Sequence, residues 1–146
     1  MEFNHFLTSY MPNVNIGSKV HFENMLKESV LAEKCGYATV SIPEHHLINL
    51  LMMPSPLQMA VKIASITKKI NITTGIVVLP IHDMRTYAGE VTTADILTDG
   101  RLILGVGRGA FPWEMERLGT PIETSKEKFV ELSLIHISEP TRQIVI

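Results

Sequence analysis

The sequence predicts an α/β fold in which parallel strands alternate with helices. Three observations support this fold class: four short runs are rich in strand-forming residues, helical segments separate them, and the connections are long enough for crossovers. The predicted order is β-α-β-α-β-α-β-α. This alternation is typical of a doubly wound sheet or of part of a (β/α)8 barrel, and periodicity does not decide between them.

The third predicted strand has the clearest strand pattern. Its β-branched run, Ile72–Val78, is nearly continuous rather than alternating, which is typical of a parallel strand covered on both faces. Gly100 suits the left-handed position that ends a helix, so the fourth strand is predicted to open at Arg101. The four strands are predicted at Phe3–Thr8, Tyr37–Ile42, Ile70–Leu79 and Arg101–Val106.

The helices are predicted from apolar periodicity and from capping residues. Ser55 can cap a helix that has Pro56 at its first position. Thr124 and Glu127 have the spacing of a capping box, which predicts that a fourth helix starts there. The other two helices are predicted at Phe22–Cys35, stopped by Gly36, and at Tyr87–Leu97.

The composition is that of an ordinary globular domain. The 146 residues are 45% hydrophobic and 19% charged, with a formal net charge of −2, which does not favour nucleic acid or an anionic membrane as a partner. The single cysteine, Cys35, excludes an internal disulfide framework and suits a reducing compartment. No signal-peptide pattern and no run of about 18 apolar residues is found. We therefore expect a soluble, cytoplasmic protein.

The end of the chain has a different character. The string LSLIHISEPTR at Leu132–Arg142 resembles the conceptual translation of a transposase-type sequencing adapter. We therefore expect residues 1–131 to form the α/β segment and residues 132–146 to be a non-native tail, with the natural protein continuing in its place. The alternative is a genuine helix continuation, since several residues of the string are apolar, although Pro140 would stop such a helix.

The first group of candidate functional residues is Pro43-Glu-His-His46, directly after the second predicted strand. Ligands of parallel α/β folds bind at the carboxyl ends of the strands, so this is where chemistry is expected. A histidine titrates near neutrality, and an adjacent acid can orient it. In extended backbone His45 and His46 point to opposite sides, so only one is expected to face a pocket. Loop hydrogen bonding is the alternative, and a metal site is disfavoured because adjacent histidines do not easily share one ion.

The second group is glycine-rich and follows the fourth predicted strand. Gly105, Gly107 and Gly109 allow the backbone to approach a planar or phosphorylated ligand closely, and Arg108 can pair with a phosphate. A dinucleotide-binding loop needs G-x-G-x-x-G running into a helix, whereas the spacing here is G-x-G-x-G and Pro112 follows. The remaining alternative is a glycine-rich turn with a solvated arginine.

Three other side chains near the predicted strand ends have open roles. Arg85 is predicted either to reach a ligand or, more commonly, to cap a turn. Phe111 and Trp113 lie just past the glycines and are candidates for a lid or wall, with core or interface packing as the alternative.

Four motifs in order resemble the bacterial luciferase-like monooxygenase family. The resemblance covers roughly residues 1–130 and rests on Phe3-Asn-His-Phe6, Pro43-Glu-His-His46, Val78-Leu-Pro80 and the segment Asp95–Gly109. It implies a (β/α)8 barrel, of which this chain supplies the N-terminal half, about four βα units, since such barrels take about 250 residues. By itself that half is expected to be inactive, because it leaves strand edges and apolar faces uncovered.

The resemblance also implies a cofactor and a division of roles. Family members bind reduced FMN, or in some branches F420, at the carboxyl-terminal face of the barrel. His45 matches the acid–base histidine, Gly75 and Ile76 match the flavin-contacting strand end with its unusual cis peptide, and Gly107 and Arg108 match the phosphate-binding segment. Luciferase itself has a cysteine in that segment where this chain has Gly107, which argues against light emission.

The implied function is a flavin-dependent monooxygenase that uses reduced FMN and O2 on an unknown small organic substrate. A flavin reductase is expected to supply the reduced cofactor, and the complete protein is expected to be a dimer. Two alternatives stay open: an F420-dependent oxidoreductase that works without O2, and a non-catalytic flavin-binding or partner subunit. No metal ligand is predicted.

Overall fold

The structure is a computed structural model that describes residues 1–138, with side chains described through Ser133. Two short 3-10 helices, Val14–Ile16 and Leu79–Ile81, accompany the regular elements. The strands are β1 (Asn4–Phe6), β2 (Thr39–Ile42), β3 (Asn71–Thr74), β4 (Val77–Val78), β5 (Leu102–Ile103) and β6 (Val106–Gly107). The helices are α1 (Ser18–Lys34), α2 (Pro56–Ala64), α3 (Met84–Leu97), α4 (Pro112–Arg117) and α5 (Ile122–Ser138).

The strands form a parallel sheet in chain order. The first sheet runs β1-β2-β3-β5, with Asn4 opposite Thr39 and Thr39 opposite Asn71, and β4 pairs with β6 as its continuation. A doubly wound sheet reverses its strand order at a switch point, whereas a barrel adds each new strand beside the last. The observed order without reversal is that of the first half of a (β/α)8 barrel, which confirms the predicted parallel α/β class.

The third and fourth predicted strands are each interrupted. Gly75 separates β3 from β4 and is joined to Ile76 by a cis peptide bond, and Gly105 separates β5 from β6. The Thr74 hydroxyl bridges the gap: it donates to the Gly105 carbonyl at 2.7 Å and accepts from the Gly105 N–H at 2.9 Å. The uninterrupted strands predicted at Ile70–Leu79 and Arg101–Val106 are therefore wrong in detail, because side-chain bonds replace part of the ladder.

We expect Gly105→Ala to destabilise the protein by about 1–3 kcal/mol, the usual cost of overpacking. A Cβ at position 105 would collide with the backbone carbonyl oxygen of Thr74, which cannot move without disrupting the strand pair. Urea unfolding measures the change. Gly89→Ala is the matched control: Gly89 is an exposed position of α3 with open space around it, so alanine there should stabilise by about 0.5–1 kcal/mol. Equal effects at the two positions would contradict the steric argument.

Several helix boundaries differ from the predicted ones. The fourth predicted helix, α5, begins at Ile122 rather than Thr124, because the Thr124 hydroxyl donates to the Pro121 carbonyl at 3.1 Å instead of capping. Helix α4 was not predicted, although Pro112 at its first position is a start signal. Helix α5 continues past Leu132 to Ser138, while residues 139–146 lie outside the described part. The assignment of residues 132–146 to a non-native tail stays a prediction.

Two apolar cores lie between the strands and the helices. One packs α1 and α2 on β2 and β3 through fully buried residues such as Val40, Ile42 and Ile72, and the other packs α2, α3 and α5 on β4 and β6 around Val77. The opposite face of the strands, which would line a barrel, leaves Phe6 exposed. Within residues 1–138, no helix combines the length and apolarity needed to cross a membrane.

The fourth strand begins at Leu102, one residue after its predicted start, and the side chain of Arg101 joins the loops at the amino ends of the strands. Its guanidinium donates to the Ala64 carbonyl at 2.9 Å and to the Thr67 hydroxyl at 3.0 Å. In the same region Glu33 accepts the backbone N–H groups of residues 68–70. These bonds hold the end of the fold that lies opposite the candidate site.

Candidate active site

A cavity of about 210 Å3 lies at the carboxyl ends of β2, β4 and β6. Its walls include four of the five predicted site residues, His45, Gly75, Ile76 and Arg108. The fifth, Gly107, lies beside it, and a Cβ there would collide with Cδ1 of Ile76. The fold therefore brings together residues that are up to 63 positions apart in the sequence, as their places at neighbouring strand ends predict.

The glycines after the fourth predicted strand are required by close packing. Gly109 has a φ of 86°, which favours glycine, and a Cβ there would lie 2.6 Å from Sδ of Met115 and 2.9 Å from Cγ1 of Val78. Arg108 lies between the glycines, is exposed at the cavity, and takes part in none of the ion pairs of the described residues. Its donors are therefore available to an anionic ligand.

Glu44 is a buried carboxylate that accepts hydrogen bonds from three donors. Its Oε1 accepts from Nε2 of His82 at 2.8 Å and Nε2 of His46 at 3.0 Å, and its Oε2 accepts from the backbone N–H of Val78 at 2.6 Å. The carboxylate thereby joins the loop after β2 to the end of β4. Among the described residues no group of three or more His, Cys, Asp and Glu side chains has the geometry to hold a metal.

The hydrogen bonds of this cluster stabilise the charged forms of Glu44 and His46. Burial by itself raises the pKa of Glu44, but the hydrogen bonds from His46 and His82 outweigh it and lower that pKa to about 2. The hydrogen bond to Glu44 raises the pKa of His46 above its ordinary value, against the opposing effect of burial. Glu44 is therefore ionised at neutral pH although only 3% of it is exposed.

His45 faces the cavity and His46 does not. The backbone N–H of His45 donates to the Met53 carbonyl at 2.9 Å, and its ring packs edge-on against Phe111 with centroids 5.4 Å apart. Nδ1 of His45 is buried and has no hydrogen-bond partner among the described residues. An imidazole held in a cavity wall with uncommitted nitrogens is suited to moving a proton.

Two site residues were missed by sequence reasoning. Glu114, on α4, lines the cavity and is 3% exposed, and His82 follows β4 and stacks on Tyr87 with ring centroids 4.0 Å apart. The helix-start signal at Pro112 could have placed Glu114 in the first turn of a helix. Nothing local to His82 indicates that it binds Glu44, 38 positions earlier.

The three side chains whose roles were left open by the sequence lie in different surroundings. Arg85 does not line the cavity: Asp83 caps α3 by accepting the backbone N–H of Arg85, and the Arg85 guanidinium donates to the same carboxylate. Phe111 forms part of the wall beside His45. Trp113 stacks under the guanidinium of Arg117, 4.0 Å from the ring centroid, outside the cavity.

A larger groove of about 870 Å3 runs between α2 and α3. Glu44 and His82 reach its end, but its walls are mostly helix side chains, including Leu57, Val61 and Leu97. The predicted site residues do not line it. The smaller cavity is therefore the one that the predicted site residues line.

Fold and site together define a class: a parallel α/β protein of the barrel type with a cavity at the carboxyl ends of its strands, lined by a histidine, glycine backbone and an arginine. The sequence model of the luciferase-like monooxygenase family matches residues 1–136. The chain belongs to this family.

Individual relatives are similar to the chain in sequence. The chain is 32% identical over 131 residues to the uncharacterized protein y4vJ of Sinorhizobium fredii, covering 90% of this chain and 37% of the relative. It is 33% identical over 97 residues to the oxygenase component of flavin-dependent trigonelline monooxygenase from Acinetobacter baylyi, covering 66% of this chain and 27% of the relative. The chain thus spans roughly a third of the length of these relatives.

Solved structures share the fold. The oxygenating constituent of 3,6-diketocamphane monooxygenase from Pseudomonas putida, in complex with FMN, superposes with a TM-score of 0.85 at 23% identity, over 92% of this chain and 38% of that one. An F420-dependent secondary alcohol dehydrogenase superposes with a TM-score of 0.71 at 19% identity, over 90% of this chain and 39% of that one. At these identities the likeness shows the barrel fold alone.

Proposed function

We propose that the complete protein is a flavin-dependent monooxygenase that uses reduced FMN and O2 to oxygenate a small organic substrate. In the overall reaction one oxygen atom of O2 enters the substrate, the other leaves as water, and reduced FMN is oxidised to FMN. The observation that supports this most strongly is the convergence of His45, the Gly75–Ile76 strand end and Arg108 on one cavity.

The residues present fit a flavin. Gly107 lets two neighbouring strand ends approach closely, because a Cβ there would collide with the Ile76 side chain. Arg108, which forms none of the described ion pairs, suits the cofactor's phosphate. The cavity of about 210 Å3 is smaller than the roughly 300–1,000 Å3 of a complete ligand pocket. That size agrees with one wall of a site whose other wall comes from the second half of the barrel.

Each residue has a defined task in this proposal. When bound, reduced FMN would supply the two electrons that reduce O2, so that one oxygen atom enters the substrate and the other leaves as water. Arg108 holds the phosphate, and the backbone at Gly75–Ile76 supports the ring. His45 donates and accepts the proton that the oxygen transfer requires, while Phe111 beside it shields the site from water. A separate flavin reductase supplies reduced FMN, in line with the relative that is named an oxygenase component.

FMN titration of the full-length protein that carries this segment, followed by flavin fluorescence, tests the proposal. We expect Arg108→Ala to weaken FMN binding about 10- to 100-fold, because a hydrogen bond to a charged group contributes about 1.5–3 kcal/mol. Arg85→Ala removes the same charge from an exposed residue outside the cavity, and it should leave the affinity unchanged.

Other outcomes of the titration would contradict the proposal. Tight F420 binding with no effect of FMN would make the protein an F420-dependent oxidoreductase. FMN binding without oxygenation of either probe substrate, trigonelline or 3,6-diketocamphane, would favour a non-catalytic flavin-binding subunit. Equal losses in the two arginine variants would remove Arg108 from the phosphate site.

A further inference from the structure

Glu114 is the second buried carboxylate of the site, and its pairing differs from that of Glu44. Its side chain is only 4% exposed. Oε1 accepts the backbone N–H of His46, which anchors α4 to the loop after β2. Oε2 of Glu114 lies 3.7 Å from Nδ1 of His45, too far for a hydrogen bond. Glu44, by contrast, accepts its three hydrogen bonds at 2.6–3.0 Å. A buried carboxylate with an oxygen still available lies next to the imidazole that lines the cavity.

Nδ1 of His45 and Oε2 of Glu114 face each other without a hydrogen bond. Nδ1 of His45 is buried and without a hydrogen-bond partner among the described residues, and the Glu114 carboxylate is the acid beside it. The 3.7 Å separation is less than 1 Å beyond the usual hydrogen-bond range of about 2.7–3.2 Å. Catalytic hydrogen bonds are often long in the free enzyme and tighten when ligand binds.

We infer that Glu114 is the positioning residue of His45. The Glu114 carboxylate can accept a hydrogen bond only from an Nδ1–H, so it selects that tautomer of the neutral imidazole and leaves Nε2 as the basic nitrogen. Phe111, packed edge-on against the same ring, limits its rotation. This role deepens the proposed function, because it rests on His45 as the proton-transfer group.

The tautomer of His45 gives a test that needs neither flavin nor substrate. In 1H–15N correlation spectra of the full-length protein at a pH where His45 is neutral, we expect Nδ1 to carry the proton. Glu114→Gln retains an oxygen for the His46 N–H but turns its amide N–H toward Nδ1, so the proton should move to Nε2. An unchanged tautomer would overturn the inference. Glu116→Gln, the same substitution on the exposed side of α4, should leave the tautomer as it is.

Activity gives the second readout. With reduced FMN, O2 and whichever probe substrate is oxygenated, Glu114→Gln should lower kcat about 10- to 100-fold, part of the 10²- to 10⁴-fold range of acid–base catalysis. FMN affinity and KM should change less than about twofold, since Glu114 acts on the proton-transfer step. In a His45→Ala background the same substitution should cause no further loss.

The double variant separates this inference from the proposed function. An additional loss in the His45→Ala background would show that Glu114 does not act through His45. If His45→Ala retains full activity, the proposed role of His45 fails, while the tautomer spectra still decide whether Glu114 orients the ring. Thermal unfolding of each variant shows whether a loss of activity is caused by unfolding of the protein. Such a result would count against a positioning role.

Discussion

Glu44→Ala is expected to destabilise the protein by about 3–5 kcal/mol, the cost of removing one partner from a buried, hydrogen-bonded charge cluster. The substitution leaves the Val78 N–H and the Nε2 atoms of His46 and His82 without their acceptor. Urea unfolding followed by far-UV circular dichroism measures the loss. Glu127→Ala, at an exposed position on α5, is the matched control and should change stability by no more than about 0.5 kcal/mol.

The same carboxylate predicts a pH dependence of stability. The pKa of Glu44 is about 2 in the folded protein and 4.5 ordinarily, so its contribution is complete above pH 4.5 and is lost as the pH falls toward 2. That difference in pKa corresponds to about 3 kcal/mol. The raised pKa of His46 has the opposite sign, because its contribution is complete below pH 6.5 and is lost as the pH rises through the folded-state value.

A series of unfolding curves distinguishes these contributions. Glu44→Gln should flatten the loss of stability between pH 4.5 and 2 while keeping the size of the side chain. A variant that loses stability as steeply as the wild type in that range would show that other groups cause the acid sensitivity. Stability unaffected by Glu44→Ala at pH 7 would contradict the assigned hydrogen bonds.

His45→Ala is expected to lower the rate of substrate oxygenation in the full-length protein by about 10²- to 10⁴-fold, the usual contribution of a positioned acid–base group. His45 lines the cavity together with Gly75, Ile76 and Arg108, and the described residues give its ring no hydrogen-bonded structural role. The affinity for FMN should therefore stay within about threefold of the wild type, since the imidazole acts on the proton and not on cofactor binding.

The measurement is steady-state product formation with reduced FMN, O2 and the oxygenated probe, paired with FMN titration. His5→Ala is the control: His5 lies on β1, packs edge-on against Tyr37 and contacts Glu28 at 3.5 Å, away from the cavity. A His45→Ala variant with unchanged turnover would remove His45 from the mechanism. A parallel loss of FMN affinity would instead make His45 a binding residue.

Most of the fold could be predicted from the sequence, whereas the exact strand limits could not. Apolar runs and helical periodicity place the alternating elements because each element buries one face against its neighbours. The interruptions at Gly75 and Gly105 depend on the Thr74 hydroxyl, which takes over ladder bonds between residues 31 positions apart. A strand pattern read along one segment contains no information about such a bond.

The sequence by itself determined the family, the order of the strands and of the helices other than α4, and the placement of His45 and Arg108 at the strand ends. Those properties depend on residues close together in the chain. Only the tertiary structure decided which histidine faces the cavity and which acids pair with which histidines. Glu44 meets His82 across 38 positions, and Glu114 meets His46 across 68. These contacts form because parallel strands bring their carboxyl ends to one edge of the sheet, where the folded chain decides which side chains touch.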